Sequence, residues 1–419
     1  MSYALAVALI AACGSSHPKT GDAAVDTAVD GPPDAKPVTV TVTLIDRPNA
    51  PATFAFLSAY ADGTGAWQLA PPPNGDNYTF EVTADMWSFA WTCVTPTDRE
   101  VQIYQFLFIE RRSLVAQIPA SCTDRTQTPV ALSGAISNPP AGTIAVAWGD
   151  RSVDAVASSY TFDPGVDPGT HDLVGVHRAV SGSSYVVDSA VVQRGLAVTA
   201  ATTQAIDFAG APATQTAQIS GVPSNALMFS GVLMAGGTYQ ELSFFTSPPA
   251  SGGYVAVGLN ASQAAAGDVY AVLVDEPVSG GSVSIEAFTS APRAFTFVAP
   301  SPLSGLSSTV AATAPYPQIK TTWTKYANAT GYTWSAAAGA QWDAFIGPGA
   351  AGNSPAFQMP DLSTLTGWDP RLALQTGMMA PVLVGAQKST GDGDDFPPVA
   401  APTAGTARAH AHAGSQVQL

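Results

Sequence analysis

The sequence predicts an all-β chain of tandem antiparallel β-sandwiches behind a disordered N-terminal segment. Three observations lead there. Period-2 alternation recurs along the chain, as in Val38-Thr39-Val40-Thr41-Val42-Thr43-Leu44, Tyr78-Thr79-Phe80-Glu81-Val82 and Val269-Tyr270-Ala271-Val272-Leu273-Val274. Turn clusters such as Pro71-Pro72-Pro73-Asn74-Gly75, Asp167-Pro168-Gly169 and Ser251-Gly252-Gly253 separate these runs. No window holds a sustained 3.6-residue period with caps, and Ala-rich pieces such as Ala336 to Ala338 are too short for more than a turn of helix.

Taken from the N-terminus, Tyr3 to Ala12 is uncharged and almost wholly apolar, and it runs into Ile10-Ala11-Ala12-Cys13. A branched apolar residue, two small ones and a cysteine resemble the lipobox of Gram-negative bacterial lipoproteins. That resemblance implies a signal peptide over 1–12, removed in the mature protein, and a lipid on Cys13. Met1-Ser2-Tyr3 carries no Lys or Arg where a signal has its positive n-region, so the start codon is expected upstream. Residues 13–37 form the anchor and a tether rich in Asp, Ala and Pro. Asp22, Asp26, Asp30 and Asp34 recur every fourth residue, where a helix would stack and repel them, and Gly31-Pro32-Pro33 would break that helix. With little apolar surface to bury, the segment is expected to stay disordered. Gly14 after the cysteine, in place of Asp, resembles the sorting pattern for the outer membrane, which implies a cell-envelope location.

Three successive units make up an internal repeat. Each opens with a strand entering an Asn-containing turn, at Asn49, Asn138 and Asn225, spaced by 89 and 87 residues. Each continues with a Pro/Gly turn and an alternating strand (Asn74 to Val82, Asp167 to Val176, Ala250 to Val257) and then an apolar strand (Val101 to Ile109, Ser184 to Val192, Asp268 to Val274). This unit length suits an immunoglobulin-like sandwich of about seven strands. The expected modules are 38–128, 129–212 and 213–303. Gly63 to Val82 and Ser159 to Val176 resemble the turn-then-strand step of carboxypeptidase-regulatory-like or transthyretin-like sandwiches. The last portion, 304–419, is different. Ile319-Lys320-Thr321-Thr322-Trp323 followed by Ala329-Thr330-Gly331-Tyr332-Thr333-Trp334 resembles the early strands of a fibronectin type III module, with Asp361 to Trp368 as the turn region before the later strands; the family's Pro-Gly-Thr-x-Tyr corner is missing. The alternative architecture is a β-propeller with two blades per repeat, which requires four strands per ~40 residues and closure between the chain ends.

Composition narrows function by exclusion. Only 11% of residues are charged against 46% hydrophobic, and the net charge is −15. A nucleic-acid surface needs clustered Lys and Arg to displace counterions, so nucleic acid is not an expected partner. After the N-terminal segment no apolar run reaches the ~18 residues of a membrane-spanning helix. There is no GxSxG elbow, HExxH or P-loop. Gly347-Pro348-Gly349-Ala350-Ala351-Gly352 matches GxGxxG in letters only, since Pro348 has no N–H for a phosphate and no helix follows. No cofactor is implied. Asp392, Asp394 and Asp395 are the metal candidates, but the run lacks the bidentate Glu of a calcium loop and reads as a solvated acidic loop. His410 and His412 alternate with Ala409 and Ala411, which reads as the polar face of a strand.

Cys93 and Cys122 are the cysteines that remain beside Cys13. In an oxidising envelope they are expected to form a disulfide. Trp87, Phe89 and Trp91 lie on one strand face opposite small residues, the pattern of a sandwich core. Tyr104, Phe106 and Phe108 sit on a strand that is apolar on both faces; they are the candidate ligand-stacking aromatics, unless a neighbouring module covers them. The function expected from these features is a non-catalytic envelope lipoprotein, a scaffold, adhesin or binding module for polysaccharide or another surface protein. The alternative is a lipid-anchored hydrolase with a loop-built site.

Overall fold

A computed structural model describes residues 37–45, 55–75, 77–94, 99–107, 114–119, 129–156, 158–249, 253–347, 351–390 and 403–419. The fold is all-β: four sandwiches whose larger sheets are hydrogen-bonded edge to edge. Among the described residues there is no closed barrel or propeller, which excludes the alternative architecture.

The first sandwich contains β1 (Val38–Ile45), β2 (Ala55–Asp62), β3 (Gln68–Leu69), β4 (Asn77–Val82), β5 (Met86–Val94), β6 (Arg99–Leu107) and β7 (Leu114–Pro119). The smaller sheet runs β4-β1-β7 and the larger β3-β2-β5-β6. Alternation does the sorting. Val40, Val42, Tyr78, Phe80 and Val82 face inward from the small sheet onto Trp87, Phe89 and Trp91 of β5, all three of them fully buried. Phe80 meets Trp87 edge-on at 5.6 Å, and Tyr78 lies 5.3 Å from Phe89. Trp87, Phe89 and Trp91 are therefore core residues, as their small neighbours predict.

The second sandwich has β8 (Leu132–Ser137), β9 (Thr143–Trp148), β10 (Arg151–Asp154), β11 (Ser159–Thr161), β12 (Gly169–Ser181), β13 (Ser184–Val198), β14 (Thr202–Thr203) and β15 (Ile206–Asp207). The third has β16 (Gln215–Ser220), β17 (Leu227–Leu233), β18 (Tyr239–Phe245), β19 (Tyr254–Gly258), β20 (Val269–Val278), β21 (Gly281–Thr289) and β22 (Phe295–Thr296). These two repeat the topology of the first. In each, the opening strand is the centre of the small sheet, antiparallel to the fourth strand and parallel to the closing one. In each, the larger sheet takes the third, second, fifth and sixth strands in that order.

The repeat is real, but the sequence aligns it one strand out of step in two places. Asp167 to Val176 runs into β12, the fifth strand of its unit, because the fourth, β11, has only three residues and no visible period. Asp268 to Val274 runs into β20, again a fifth strand; the sixth, β21, is partly polar and less conspicuous.

The fourth sandwich comprises β23 (Ser307–Ala312), β24 (Gln318–Thr322), β25 (Gly331–Ala337), β26 (Gln341–Ile346), β27 (Ala356–Gln358), a 3-10 turn η1 (Pro370–Leu372), β28 (Met379–Thr390) and β29 (Ala407–Gln418). Its sheets run β23-β24-β27 and β29-β28-β25-β26. In immunoglobulin lettering these are A-B-E and G-F-C-C′, a strand order unlike that of the three repeats. Trp334 and Phe357 pack 4.7 Å apart between the two sheets, and the Trp334 indole donates to Thr321 at 2.9 Å.

Three seams join the larger sheets into one of sixteen strands. β13 pairs with β18, β21 pairs with β29 over Gly281 to Ala287, and β26 pairs in parallel with β6. The spatial order of the sandwiches is thus second, third, fourth, first: the N-terminal sandwich is seated on the C-terminal one. β26 serves two cores at once. Its Trp342, Ala344 and Ile346 enter the core of the fourth sandwich, and Phe345 between them packs against that of the first. On the reverse face of the first sandwich, Leu57, Ala59, Ala90 and Val101 are covered by the segment around η1, including Leu372 and Leu374. That explains why the strand containing Tyr104 reads as apolar on both faces.

A second lock fixes sandwich two to sandwich three. Ala145, Ala147, Val174 and Val176 pack against Val232, Leu242, Val257 and Leu259. Arg194 of β13 donates to Asp172 at 2.8 Å and to Asp268 at 2.7 Å, joining the two modules. Both carboxylates take further backbone amides, from Gly195 and from Ala235 and Ala265.

Candidate functional site

The small sheets of the third and fourth sandwiches pack on the same face of the long sheet, against Val272, Val274, Val283, Val382, Val384, Ala411 and Ala413. Because strand residues alternate, the intervening side chains project from the opposite face. Register lines them up. Tyr185, Phe244, Phe229, Leu273, Glu286, Arg408 and Ser389 stand directly opposite one another across seven neighbouring strands, from β13 to β28. Beside that row runs another, Asp275, Ser284, His410 and Gln387.

At one end of the row, three aromatic rings form a shelf. Tyr185, Phe244 and Phe229 follow one another at 6.2 Å each, tilted by 42° and 30°. All three are part-exposed. The Arg178 guanidinium lies 4.6 Å above the Tyr185 ring and is tied to Asp154 at 2.9 Å. The Tyr185 hydroxyl donates to Glu241. Burial pushes the Glu241 carboxyl above its ordinary range, against the Tyr185 hydrogen bond and the charge of Arg178. Burial beside Glu241 likewise raises the Tyr185 and Tyr239 hydroxyls, which keeps both as donors. Gly231 makes this packing possible, since a Cβ there would sit 2.6 Å from the Tyr239 hydroxyl.

At the other end, Glu286 lies 3.9 Å from Arg408 and 3.6 Å from His410. Burial acts to raise the Glu286 carboxyl, but His410, Arg408 and His412 outweigh it and hold it below its usual range. The rings of His410 and His412 stack at 6.0 Å. Burial, with His410 adding, lowers the His412 imidazole to about 4. Gly385 gives His412 its room, since a Cβ there would come within 2.8 Å of the ring. The two histidines do alternate with inward alanines as the sequence predicts, but they belong to this charged cluster and are not freely solvated. Among the described residues no group of three or more His, Cys, Asp or Glu is placed to hold a metal ion.

The residues singled out from sequence fall as follows. Cys13, Phe108, Cys122, Asp392, Asp394 and Asp395 lie outside the described residues, and so does any bridge between Cys93 and Cys122. The backbone of Cys93 is in β5, opposite Phe56 and Glu100. Tyr104 and Phe106 are in β6, Tyr104 in register with Phe89 and Phe345 and Phe106 with Trp87. The row from Tyr185 to Arg408 escapes sequence reading because its members are scattered over more than 200 positions and meet only through register. The available signal is the placing of Glu286, Arg408, His410 and His412 on strands whose alternate residues are apolar or small (Val283, Ile285, Ala287; Ala407, Ala409, Ala411).

Chemically the surface offers flat rings for stacking and guanidinium, carboxyl and hydroxyl groups for hydrogen bonding. No family model matches the chain, and no curated protein matches it. Among solved structures it is similar to the FN1–FN3 domains of chicken CNTN1, at 9% identity and a TM-score of 0.15, covering 79% of this chain and 83% of that one. It is also similar to a tetra-tandem repeat in the extending region of a large adhesion protein, at 12% identity and a TM-score of 0.14, covering 91% of this chain and 100% of that one.

Proposed function

We propose that this protein is a non-catalytic envelope lipoprotein, a scaffold or adhesin that binds polysaccharide or another surface protein. The observation that carries this reading is the sixteen-stranded sheet, which ties four sandwiches into one body and leaves a polar and aromatic face between them. A body of this kind holds a large surface in a fixed shape, which suits recognition. The groups on this face are engaged with one another, as in Arg178–Tyr185–Glu241.

On this reading Cys13 carries the lipid, residues 14–37 are the tether, and the outer membrane is the location. The Cys13→Ser chain is expected to move from the membrane fraction to the soluble one without an acyl chain, because multiple chains are what hold a lipoprotein firmly. Retention of that variant in the membrane, together with an unacylated native protein, would overturn the anchor. For the body, the test is a glycan array run beside a panel of hydrolase substrates. Binding without turnover is the expected result. Turnover that is lost on substituting a single carboxylate would establish the hydrolase instead.

A further inference from the structure

The geometry points to the shelf of Tyr185, Phe244 and Phe229, with Arg178 and Glu241 at its edge, as a binding site for a neutral polysaccharide. This rests on the binding reading above and gives it a place and a ligand class. Three features of the surface select that occupant.

The first is shape. The rings lie in register on three adjacent strands, 6.2 Å from one to the next and inclined by no more than 42°. They form a row of three part-exposed rings, with Arg178 over the Tyr185 end, and the apolar C–H faces of successive sugar rings can lie along it. The second is the polar edge. The Tyr185 hydroxyl is spent on Glu241, and Arg178 is held between Asp154 and the Tyr185 ring, so their orientations are set before any ligand arrives. The remaining lone pairs of Glu241 and guanidinium hydrogens of Arg178 match sugar hydroxyls, which both donate and accept. The third is charge. Arg178 stands against two carboxylates, Asp154 and Glu241, and Arg408 against Glu286 further along the row, within a chain of net charge −15. An anionic polymer would meet repulsion from the body, with no cluster of Lys and Arg beside the rings among the described residues to offset it.

A bare apolar face would argue for a protein partner. This one alternates rings with fixed ion pairs and hydrogen bonds. The small sheets of the third and fourth sandwiches occupy the reverse face and leave the rings part-exposed.

The test is affinity electrophoresis of the full chain carrying Cys13→Ser. Native gels contain laminarin, galactomannan, hydroxyethylcellulose or dextran, with alginate and polygalacturonate as anionic counterparts. At least one neutral polymer is expected to retard the protein. Phe244→Ala and Tyr185→Ala should each weaken that retardation by about tenfold or more, as truncating a central aromatic anchor does. Phe244→Trp should retain it, which guards against a mere folding defect, and Leu383→Ala, away from the rings, should leave it unchanged. Undiminished retardation in Phe244→Ala would overturn the site. So would retardation by the anionic gels alone, or self-association in sedimentation that Phe244→Ala abolishes. Absence of retardation in every gel would overturn the site while leaving the scaffold role standing. Release of reducing sugar from a gel polymer would instead overturn the non-catalytic reading itself.

Discussion

His412 shows how a single side chain couples the seam between the third and fourth sandwiches to pH. It sits on β29 opposite Ser282 of β21 and Gly385 of β28, beside His410, with Glu286 as the nearby anion. Its folded-state pKa, about 4, lies below the ~6.5 of a free imidazole, so the unfolded chain takes up the proton first on acidification. Stability from this group is complete above about pH 6.5 and is lost as pH falls toward 4. Glu286, held below the carboxylate range, acts in the same direction at lower pH. Asp275 and Glu241, raised by burial, act in the opposite one, because the fold takes up their protons more readily than the unfolded chain does. The His412→Asn chain is therefore expected to lose less stability than the native chain between pH 7 and pH 4.5. Urea unfolding at both values measures this, and parallel losses would remove His412 as the source.

At the scale of elements, the contact between β13 and the loop before β20 depends on one cation. Asp172 and Asp268 have side chains only 3% and 1% exposed, and Arg194 bridges them. Removing Arg194 leaves two buried carboxylates without a counter-charge. Arg194→Ala is expected to destabilise by about 3–5 kcal/mol in denaturant unfolding. Arg194→Lys should recover only part of this, because an ammonium cannot present the guanidinium fork to two carboxylates. A loss under about 1 kcal/mol for the alanine variant would mean that the pair is solvated. None of these three residues stands out in the sequence, where they are separated by 22 and 74 positions. The strands themselves are legible. Tyr78, Phe80 and Val82 alternate with exposed partners along β4, and Trp87, Phe89 and Trp91 declare their core face through the small residues between them. Alternation records which face is buried but not which strand lies alongside. The site is almost illegible for that reason: Tyr185, Phe229 and Phe244 look like ordinary strand aromatics until register brings them together.

Across the whole molecule, chain order and spatial order part company. The first sandwich leads into the second in sequence, yet its β6 pairs with β26 of the fourth. The cause is a packing demand. β6 and β5 present a second apolar face, with Ala90 and Val101 on it, and the segment around Leu372 covers that face while β26 satisfies the open edge. Its two ends are modest edges: β3 has two residues, and β10 has four with Arg151 reaching across to the carbonyls of Gly165 and Asp163. The four sandwiches are thus joined through one continuous sheet and do not hang as separate beads. Cysteines placed at Gln102 and Asp343, directly in register across the β6–β26 seam, test it most directly. Adjacent strands lie about 4.8 Å apart, within disulfide reach. Mild oxidation is expected to give an intramolecular bridge between these two positions, identified by peptide mass in the monomer band. Cross-linked dimers only, or two free thiols, would contradict the continuous sheet.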